Sequence, residues 1–376
     1  MLRVIKPIRF TVVMIIGLSL LLWGGYKAYQ TSKDMMGLSD SNFQRISTIS
    51  IERNEDENNP QLAIAFQGNV VVYNDNRIRA YDINGQELWS REQKIQSPLL
   101  KNSKDMLILA DRETGLINAM NSQGEVLWTV NIDSPIADFA NNLQGKSAVV
   151  IQDGQAGGII NIFDELGKAT GKVEINESAI MAINISEDGE MMAASILSVE
   201  NNKIETNVVL YSMTGRLLGG NKYDNEIMSK LFYDIENNLI AVGTDQVVCF
   251  DKEKGLLWSK SIPHSINKLS WNNENLLALN LVNERKSVVN TENTIMIIAK
   301  DGSIVYEAQI KDSIKAMDSM GSKVVAAGNR TLYYIDSESN KLVEKKINND
   351  IEGIEFISEQ QLMVIAKEKI EIIKLQ

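Results

Sequence analysis

The residue types that most often perform chemistry are scarce in this chain. It has one histidine, His264 in "SIPHSIN", and one cysteine, Cys249 in the apolar string "QVVCFD". A single cysteine excludes an intramolecular disulfide and a cysteine-rich metal site. We expect Cys249 to be a small buried apolar residue. His264 is the only histidine that could act as a general base, but its sequence context favours a loop where two structural units join.

The 49 acidic residues are the other candidates for chemistry. "SEDGE" at Ser186 and "DSESNK" at Asp336 resemble the start of calcium-binding loops, but neither has the Glu at the twelfth position that an EF-hand requires, so we predict turns. Carboxylate pairs for glycoside hydrolysis are too numerous to single one out. Because the sequence has no glycine-rich phosphate loop, zinc-ligand cluster or nucleophile elbow, we assign no catalytic, cofactor-binding or metal-ligating residue and no cofactor.

Charge is distributed unevenly along the chain. The first 30 residues contain four bases and no acid, which leaves 34 bases against 49 acids in the rest, a formal charge of −15. Phosphate backbones repel such an acidic body, so nucleic acid is not an expected partner. We expect the acidity to serve solubility.

An uncharged apolar segment lies near the N-terminus. Residues 10–26, from Phe10 to Tyr26, would span roughly 26 Å as a helix, the short end of what crosses a bilayer core. Bases precede the segment and aromatic residues lie near its end, which is typical of a membrane anchor. A cleaved signal peptide is the rival interpretation, but its apolar part is usually shorter and no small-x-small cleavage motif follows. A buried helix of a soluble protein is the third.

The sequence therefore predicts a single-pass signal-anchor protein of the cell membrane. Residues 1–9 form a short tail that stays in the cytoplasm because of its positive charge. Residues 10–26 form the transmembrane anchor and residues 27–42 a polar tether. Residues 43–376 form the domain, which we place outside the membrane.

One phrase recurs along this domain. "AYDINGQELWS" at Ala80 returns as "AMNSQGEVLWT" at Ala119 and as "CFDKEKGLLWS" at Cys249. Each copy has a strand pattern, a turn rich in Asp, Asn and Gly, and a second strand with a Trp, which together predict a β-hairpin. Glycine suits the turn because it adopts positive φ readily. Four degenerate copies extend the series, and the turn residues are Gly85, Gly124, Gly167, Gly215, Gly255, Gly302 and Asn340.

The spacing of these turns predicts the architecture. Successive turn residues are 39, 43, 48, 40, 47 and 38 residues apart, a period that is typical of a four-stranded propeller blade. One unit, Ile95 to Ile132, shows the four strands as "SPLLKN", "DMLILAD", "LINAMN" and "EVLWTVNI". Three strand patterns follow the last turn, and a lone one begins at Phe43. We therefore predict an all-β, eight-bladed β-propeller of four-stranded antiparallel blades, closed by the N-terminal strand; seven blades is the alternative.

The tryptophans of the repeated phrase have two possible roles. Trp89, Trp128 and Trp258 fall on the outermost strand of their blades, where an indole ring can pack against the neighbouring blade. Stacking on a ligand is the other role. Their repeated placement at the rim favours packing.

At these residues the chain resembles the quinoprotein-type (PQQ-like) propeller repeat, whose motif runs from Asp through a Gly turn to Trp. "YDINGQELW" is a close match, and in "NSQGEVLW" Asn121 replaces the Asp. The whole chain resembles uncharacterised, membrane-anchored propellers of low-GC Gram-positive bacteria, and its repeats are similar to those of WD40-like propellers. The repeats also resemble those of the propeller lipoprotein of outer-membrane assembly, but the lipidated Cys is absent.

The resemblance implies two functions. One is a dehydrogenase that uses pyrroloquinoline quinone; alcohol-oxidising members carry an adjacent cysteine pair that this chain lacks, and sugar-oxidising members use a His base, for which His264 is the only residue available. The other is a non-catalytic module for protein interaction or assembly at the cell envelope. We favour the module, with an envelope protein as partner, and keep the quinone-dependent or other small-molecule enzyme, acting in the propeller's funnel, as the alternative.

Two long intervals mark a candidate partner-binding rim. The extra residues fall between the second and third strands of two blades, in "SVENNKIETN" and "NERKSVVNTEN", on the face opposite the glycine turns. Variable loops on a regular scaffold are where such folds place binding. Simple solvated insertions are the alternative interpretation. The candidate rim residues are Asn201, Asn202, Lys203, Glu284, Arg285 and Lys286.

Overall fold

A computed structural model of the protein describes residues 43–51, 62–152, 157–201, 203–272, 276–283 and 292–376. Within these ranges no helix has the length and apolar character needed to cross a membrane. The predicted tail, anchor and tether, residues 1–42, lie outside the described residues.

The described residues form 32 β-strands in eight four-stranded antiparallel sheets. The first strands of most adjacent sheets contact one another, in an order that runs around a ring, so each sheet is a blade whose first strand is innermost. Blade one comprises β2 (Leu62–Phe66), β3 (Asn69–Asn74), β4 (Arg77–Tyr81) and β5 (Glu87–Glu92). Blade two comprises β6 (Pro98–Asn102), β7 (Leu107–Asp111), β8 (Leu116–Met120) and β9 (Val126–Asn131). Blade three comprises β10 (Ile136–Asn141), β11 (Ser147–Ile151), β12 (Gly157–Phe163) and β13 (Ala169–Asn176).

The next four blades continue in chain order. Blade four comprises β14 (Ala179–Ile185), β15 (Met191–Glu200), β16 (Lys203–Ser212) and β17 (Leu217–Asp224). Blade five comprises β18 (Lys230–Tyr233), β19 (Leu239–Val242), β20 (Gln246–Asp251) and β21 (Gly255–Ser261). Blade six comprises β22 (Ser265–Asn272), β23 (Leu276–Asn283), β24 (Glu292–Ala299) and β25 (Ile304–Ile310). Blade seven comprises β26 (Ala316–Met320), β27 (Lys323–Ala327), β28 (Thr331–Asp336) and β29 (Lys341–Lys346).

Blade eight joins the two ends of the domain. Its strands are β30 (Gly353–Ser358), β31 (Gln361–Ala366), β32 (Lys369–Leu375) and, outermost, β1 (Phe43–Ser50). β1 pairs antiparallel with β32 from Phe43 opposite Leu375 to Ser50 opposite Lys369. The prediction of eight blades closed by the N-terminal strand is confirmed, and the seven-bladed alternative is wrong.

The hydrophobic core lies between adjacent blades. Second strands such as β7, "LILAD", are buried at every position, whereas outermost strands such as β9 are largely exposed. Each apolar cluster draws its residues from neighbouring blades; one, for example, combines Tyr73 and Ile78 of blade one with Leu107 and Leu109 of blade two. Because both faces of every blade are covered, the inner strands are apolar almost throughout rather than alternating.

The ring has two faces, which we name by their connections. The turn face carries the turns between third and fourth strands, including the repeated glycine turns. The loop face carries the links from one blade to the next and the connections between second and third strands. The first strands line a central channel that runs between the two faces.

Candidate functional site

The glycine turns share one geometry with one exception. Asp82 opens the first turn, and its Oδ1 accepts hydrogen bonds from the amides of Asn84 and Gln86, which lower the pKa of this carboxyl. The turn glycine then takes a φ of 83°. In blade five Gly255 lies four residues after Asp251 rather than three, and it pairs with Asp251 as the first residue of β21. All six predicted turn glycines have φ between 73° and 83°, and Asn340 has a φ of 53°.

The three motif tryptophans bridge adjacent blades on the turn face. The indole Nε1 of Trp89 donates to the carbonyl oxygen of Ser122 at 2.7 Å, and the ring lies on the turn glycine Gly124, where an added Cβ would meet it at 2.7 Å. Trp128 and Trp258 make the same two contacts with blades three and six. Their rings are occupied by the neighbouring blade and are not available as a stacking platform for a ligand.

We call the contact between two adjacent blades a seam. At other seams a hydroxyl takes the place of the indole, or the position of the indole is empty. Ser47 donates to the carbonyl of Ile83 at 2.7 Å, and Thr170 donates to that of Met213 at 2.9 Å, so these two seams use the same acceptor position in the next turn. Between blades four and five the Trp position on the ladder is Gly219, and an added Cβ there would touch nothing within 4 Å. A groove of about 540 Å³ lies at this seam.

Cys249 is buried in the apolar cluster between blades five and six. Burial, helped by Asp234, raises the pKa of its thiol to about 12. The thiolate is the nucleophilic form of cysteine, so this thiol is unreactive at neutral pH while the blade is intact.

Side chains of the innermost strands link adjacent blades by hydrogen bonds along the channel wall. The amide of Asn102 donates to the carbonyl of Ala65 at 2.5 Å, and Asn141 donates to that of Asn102 at 2.6 Å. Asn184 and Asn267 reach forward to the next blade in the same way, each at 2.9 Å. Neutral amides therefore satisfy the backbone edges that the first strands turn toward the channel.

Two carboxyls take this role where the ring closes. Asp318 accepts a hydrogen bond from the amide of Phe356 at 2.7 Å, and Glu355 accepts one from the amide of Ala65 at 3.0 Å. Burial raises the pKa of both carboxyls, and the proximity of Asp318 adds to the effect on Glu355, whose pKa is about 8. Sequence reasoning missed this pair; the only signal was a single acid in each of two apolar strands, "AMDSM" and "GIEFIS".

A cavity lies on the loop face, between blades five and six. It has a volume of about 850 Å³. His264 lines it from the link between β21 and β22, half-buried, as its place between two units predicted. The inner strands add Lys230 and Phe232 from blade five and Lys268 from blade six. We name this the mouth cavity.

The mouth cavity has apolar and polar walls. Phe232 stacks on Trp271 with ring centroids 5.6 Å apart, which fixes the orientation of the apolar wall. Asn267 donates to both the side chain of Asn280 and the carbonyl of Ile314, so its amide is already engaged. Among the described residues His264 has no hydrogen-bonding carboxylate to orient its ring, and no three His, Cys, Asp or Glu side chains converge as metal ligands. The site can bind, but it does not present a base held by a second group.

The candidate rim residues are only partly described. Asn201 and Lys203 lie exposed at the tip of the β15–β16 hairpin, whereas Asn202, Glu284, Arg285 and Lys286 lie outside the described residues. The extra residues of blade four lengthen both strands, which pair as far as Glu200 opposite Lys203. Asn283, which lines the mouth cavity, immediately precedes Glu284 in the chain.

Comparisons with known proteins agree with this fold. The propeller of BamB from Moraxella catarrhalis superposes with a TM-score of 0.58 at 10% identity, covering 89% of this chain and 98% of BamB. Sqt1 of Saccharomyces cerevisiae gives 0.64 at 10% identity, covering 89% and 100%. A chain of the Mitotic Checkpoint Complex gives 0.52 at 12% identity, covering 90% and 94%. Such identities establish the fold alone.

In sequence, the chain belongs to the Family of unknown function (DUF5711), whose profile matches residues 39–375. No curated protein matches it.

Proposed function

We propose that this DUF5711 protein is a non-catalytic protein-interaction module, tethered outside the bacterial cell membrane, and that its partner is an envelope protein. One observation carries the proposal. The loop face combines the mouth cavity with the β15–β16 hairpin, whose ten-residue strands are the longest among the described residues. A concave pocket and a projecting element on the same face of a rigid scaffold make a surface suited to protein recognition.

The chemistry of the buried polar groups supports a non-catalytic role. Asp318 and Glu355 are the described carboxyls with raised pKa values, and both accept backbone hydrogen bonds that join blades. Cys249 is held as a buried thiol. Structural networks also perturb pKa values, and here both carboxyls have a structural partner.

The similar folds support the same proposal in a coarser way. The propeller in the Mitotic Checkpoint Complex is part of a protein assembly. Propellers present one broad, rigid face to a partner, and their specificity is set by loops on that face. We also propose that the repeats share their ancestry with the quinoprotein-type repeat. This part of the proposal concerns the origin of the scaffold and not its chemistry.

Site-specific photo-crosslinking in cells tests the interaction. A photoreactive amino acid at Thr244 or Ser265 samples the mouth cavity, and the same group at Asn84 or Ser122 samples the turn face as a matched control. Pull-down of the tagged full-length protein followed by mass spectrometry identifies the products. We expect one envelope protein to be captured from the loop face and not from the turn face. Equal capture from both faces, or none from the loop face, would reject the proposal.

Membrane tethering has its own test. Because Cys249 is buried, it contributes little background to thiol labelling of intact cells with a membrane-impermeant maleimide. We expect Ser32→Cys, in the tether, to be labelled in intact cells, and Ile5→Cys, in the predicted tail, only after permeabilisation. Release of a shortened, membrane-free chain would instead support a cleaved signal peptide.

The enzyme remains the alternative because His264 lines a cavity large enough for a small molecule. The purified full-length protein is mixed with pyrroloquinoline quinone and calcium, and reduction of an electron-accepting dye is followed with alcohol and sugar substrates. We expect no turnover above that of quinone alone. Turnover that is lost in His264→Asn would replace the interaction module with a dehydrogenase.

A further inference from the structure

We infer that the turn face is a lipid-contacting surface, which lies against the bilayer to which the chain is tethered. The inference rests on the proposed function, because it requires the membrane tether. It adds to that proposal a second contact with the membrane, made by side chains of the propeller itself.

Exposed apolar side chains are concentrated at the turn face. The turns between first and second strands open onto this face as well, because strand direction alternates within each blade. Sixteen large apolar side chains are exposed among the described residues, and thirteen of them lie at the turn-face edge. Ten of these are within the first three residues of a fourth strand, as Leu127 and Leu256 are. The other three, Leu143, Leu166 and Ile235, lie in turns.

The rest of the described surface exposes few side chains of this kind. Met181 lies on β14, an innermost strand, and Val199 and Ile204 lie opposite each other on the loop-face hairpin. Exposed apolar residues are common on folded proteins, but such a background would be shared between the two faces. The one-sided distribution therefore indicates that the turn face meets an apolar environment.

The arrangement of these side chains favours a planar partner. The thirteen come from seven of the eight blades, so they follow the edge of the disc. A protein partner commonly buries one compact apolar patch with a polar rim. Side chains spread around a broad face instead match a surface that extends under the whole disc, as a bilayer does.

The tether brings this face to the membrane. β1 begins at the turn face, because Phe43 pairs with Leu375, the last residue of a third strand. The predicted anchor ends at Tyr26, so residues 27–42 can span at most about 55 Å. A tether of this length keeps the turn face at a high effective concentration beside the bilayer, and a weak apolar contact is then enough to hold it there.

Charged residues at the same edge determine which lipids suit it. The exposed carboxylates of Glu87, Glu125 and Glu165 lie beside the apolar side chains, and an anionic surface would repel them. Lys252 and Lys254 are exposed and long enough to keep their ammonium groups in the hydrated headgroup layer. The contact therefore depends on the burial of apolar side chains, and zwitterionic lipid suits it better than anionic lipid.

Fluorescence quenching by lipid tests the inference. The full-length protein is reconstituted into phosphatidylcholine vesicles that contain a nitroxide-labelled lipid, and an environment-sensitive fluorophore is attached at Leu256→Cys or, as the control, at Val199→Cys. Both side chains are 65% exposed, one at the turn face and one at the loop face, and Cys249 is buried away from the labelling reagent. We expect quenching of about half or more at Leu256→Cys and about a tenth or less at Val199→Cys, because only a label in the interface meets the nitroxide.

Polar substitutions on a neighbouring blade show whether the contact is apolar. In the protein labelled at the turn face, Leu217→Ser/Leu218→Ser should reduce the quenching about twofold, because it removes apolar surface from the contact. Val199→Ser/Ile204→Ser is the matched control on the loop face and should leave the quenching unchanged. Thermal unfolding shows that both variants are folded. Replacing roughly 30% of the lipid with phosphatidylglycerol should also weaken the quenching, by repulsion of the turn carboxylates.

Several results would overturn the inference: equal quenching at both faces, none at the turn face, no change in the turn-face variant, or stronger quenching with phosphatidylglycerol. A protein captured in cells by a photoreactive residue at position 256, with no quenching there, would assign the turn face to a protein partner and would overturn it as well.

Flotation of the vesicles distinguishes failure of this inference from failure of the proposed function. A chain that does not float with the vesicles has no membrane tether, which rejects both the tethering and the contact. A chain that floats without quenching at the turn face rejects the contact alone. Capture of an envelope protein from the loop face is measured separately, so the interaction module stands or fails by its own result.

Discussion

Blade five meets its two neighbours in different ways. Toward blade six, Trp258 lies on Gly302 and donates its indole hydrogen to the carbonyl of Lys300 at 2.7 Å. Toward blade four, the equivalent position is Gly219, and the groove beside it leaves Leu217 and Leu218 63% and 43% exposed. Both seams share the apolar core of the inner strands; they differ only at the rim.

The difference shows that the repeated motif is a contact between two blades rather than a property of one. The Trp is supplied by one blade, and the glycine that accommodates its ring is supplied by the next. Where blade four lacks the Trp, the turn of blade five places its glycine one residue later, at Gly255, and an added Cβ there would meet nothing within 4 Å. At this seam, therefore, the Trp is absent and the following turn has a different spacing.

The largest effect is expected from removing the indole at the closed seam. Trp258→Ala deletes a half-buried aromatic ring together with its hydrogen bond, and we expect a loss of about 2–4 kcal/mol in the free energy of unfolding. Urea denaturation followed by circular dichroism measures it. A loss below about 1 kcal/mol would mean that the Trp is not a main contributor to the seam.

Cys249 shows whether that loss is local. The thiol lies in the apolar cluster between blades five and six, opposite Trp258 on the neighbouring strand. We expect native-state labelling by a thiol reagent to be faster in Trp258→Ala than in wild type. Trp128→Ala, which opens a different seam at a similar cost in stability, is the control and should leave the labelling rate much closer to that of wild type.

The seam between blades three and four is closed by backbone. A Cβ on Gly171 would lie 2.6 Å from the carbonyl carbon of Thr214, and backbone cannot move aside as a flexible side chain can. We expect Gly171→Ala to destabilise the protein by about 2 kcal/mol, because overpacking forces a backbone shift. Thermal and urea denaturation measure it, and an unchanged midpoint would show that this seam is as open as the one at Gly219.

The closing seam between blades eight and one should respond to pH. Glu355 binds its proton more tightly in the folded protein, at a pKa of about 8, than in the unfolded chain, so folding takes up a proton between these pKa values. Its contribution to stability is complete below about pH 4 and is lost as pH rises toward 8. Glu355→Gln keeps an oxygen that can accept the hydrogen bond from Ala65 and should flatten this dependence, gaining roughly 1–2 kcal/mol at pH 9. Glu87→Gln, on an exposed strand, is the control and should leave the wild-type slope intact.

The smallest effect is expected at the open seam. Leu218 is 43% exposed beside the groove, so truncating it removes little buried surface. We expect Leu218→Ala to cost less than about 1 kcal/mol, measured in the same urea series. A loss as large as that of Trp258→Ala would remove the distinction between the two seams.

Much of the fold could be predicted because the outer hairpins repeat. Glycine and Trp at fixed spacing located the third and fourth strands of several blades, and the unpaired strand at Phe43 indicated how the ring closes. The inner strands carry no such motif, because the polar residue at each position depends on which group of the neighbouring blade it contacts. Asp318 and Glu355 lie on strands of different repeats, so the sequence does not indicate that their side chains are neighbours.

The candidate site was less predictable for a related reason. Interval length suggested a loop in blade four, but the extra residues alternate well enough to pair, as Val199 does with Ile204, and they extend the sheet instead. Lys101 and Lys230 are far apart in the chain, and only the closed ring brings their charges together.

The way the ring closes also determines the face from which the chain enters the propeller. Phe43 pairs with Leu375, the last residue of a third strand, and third strands end on the turn face. The polypeptide therefore enters the propeller from that face. In the tethered protein proposed above, residues 27–42 would attach the disc to the membrane by its turn face, leaving the mouth cavity directed away from the bilayer, toward partners that approach from the cell wall or from outside.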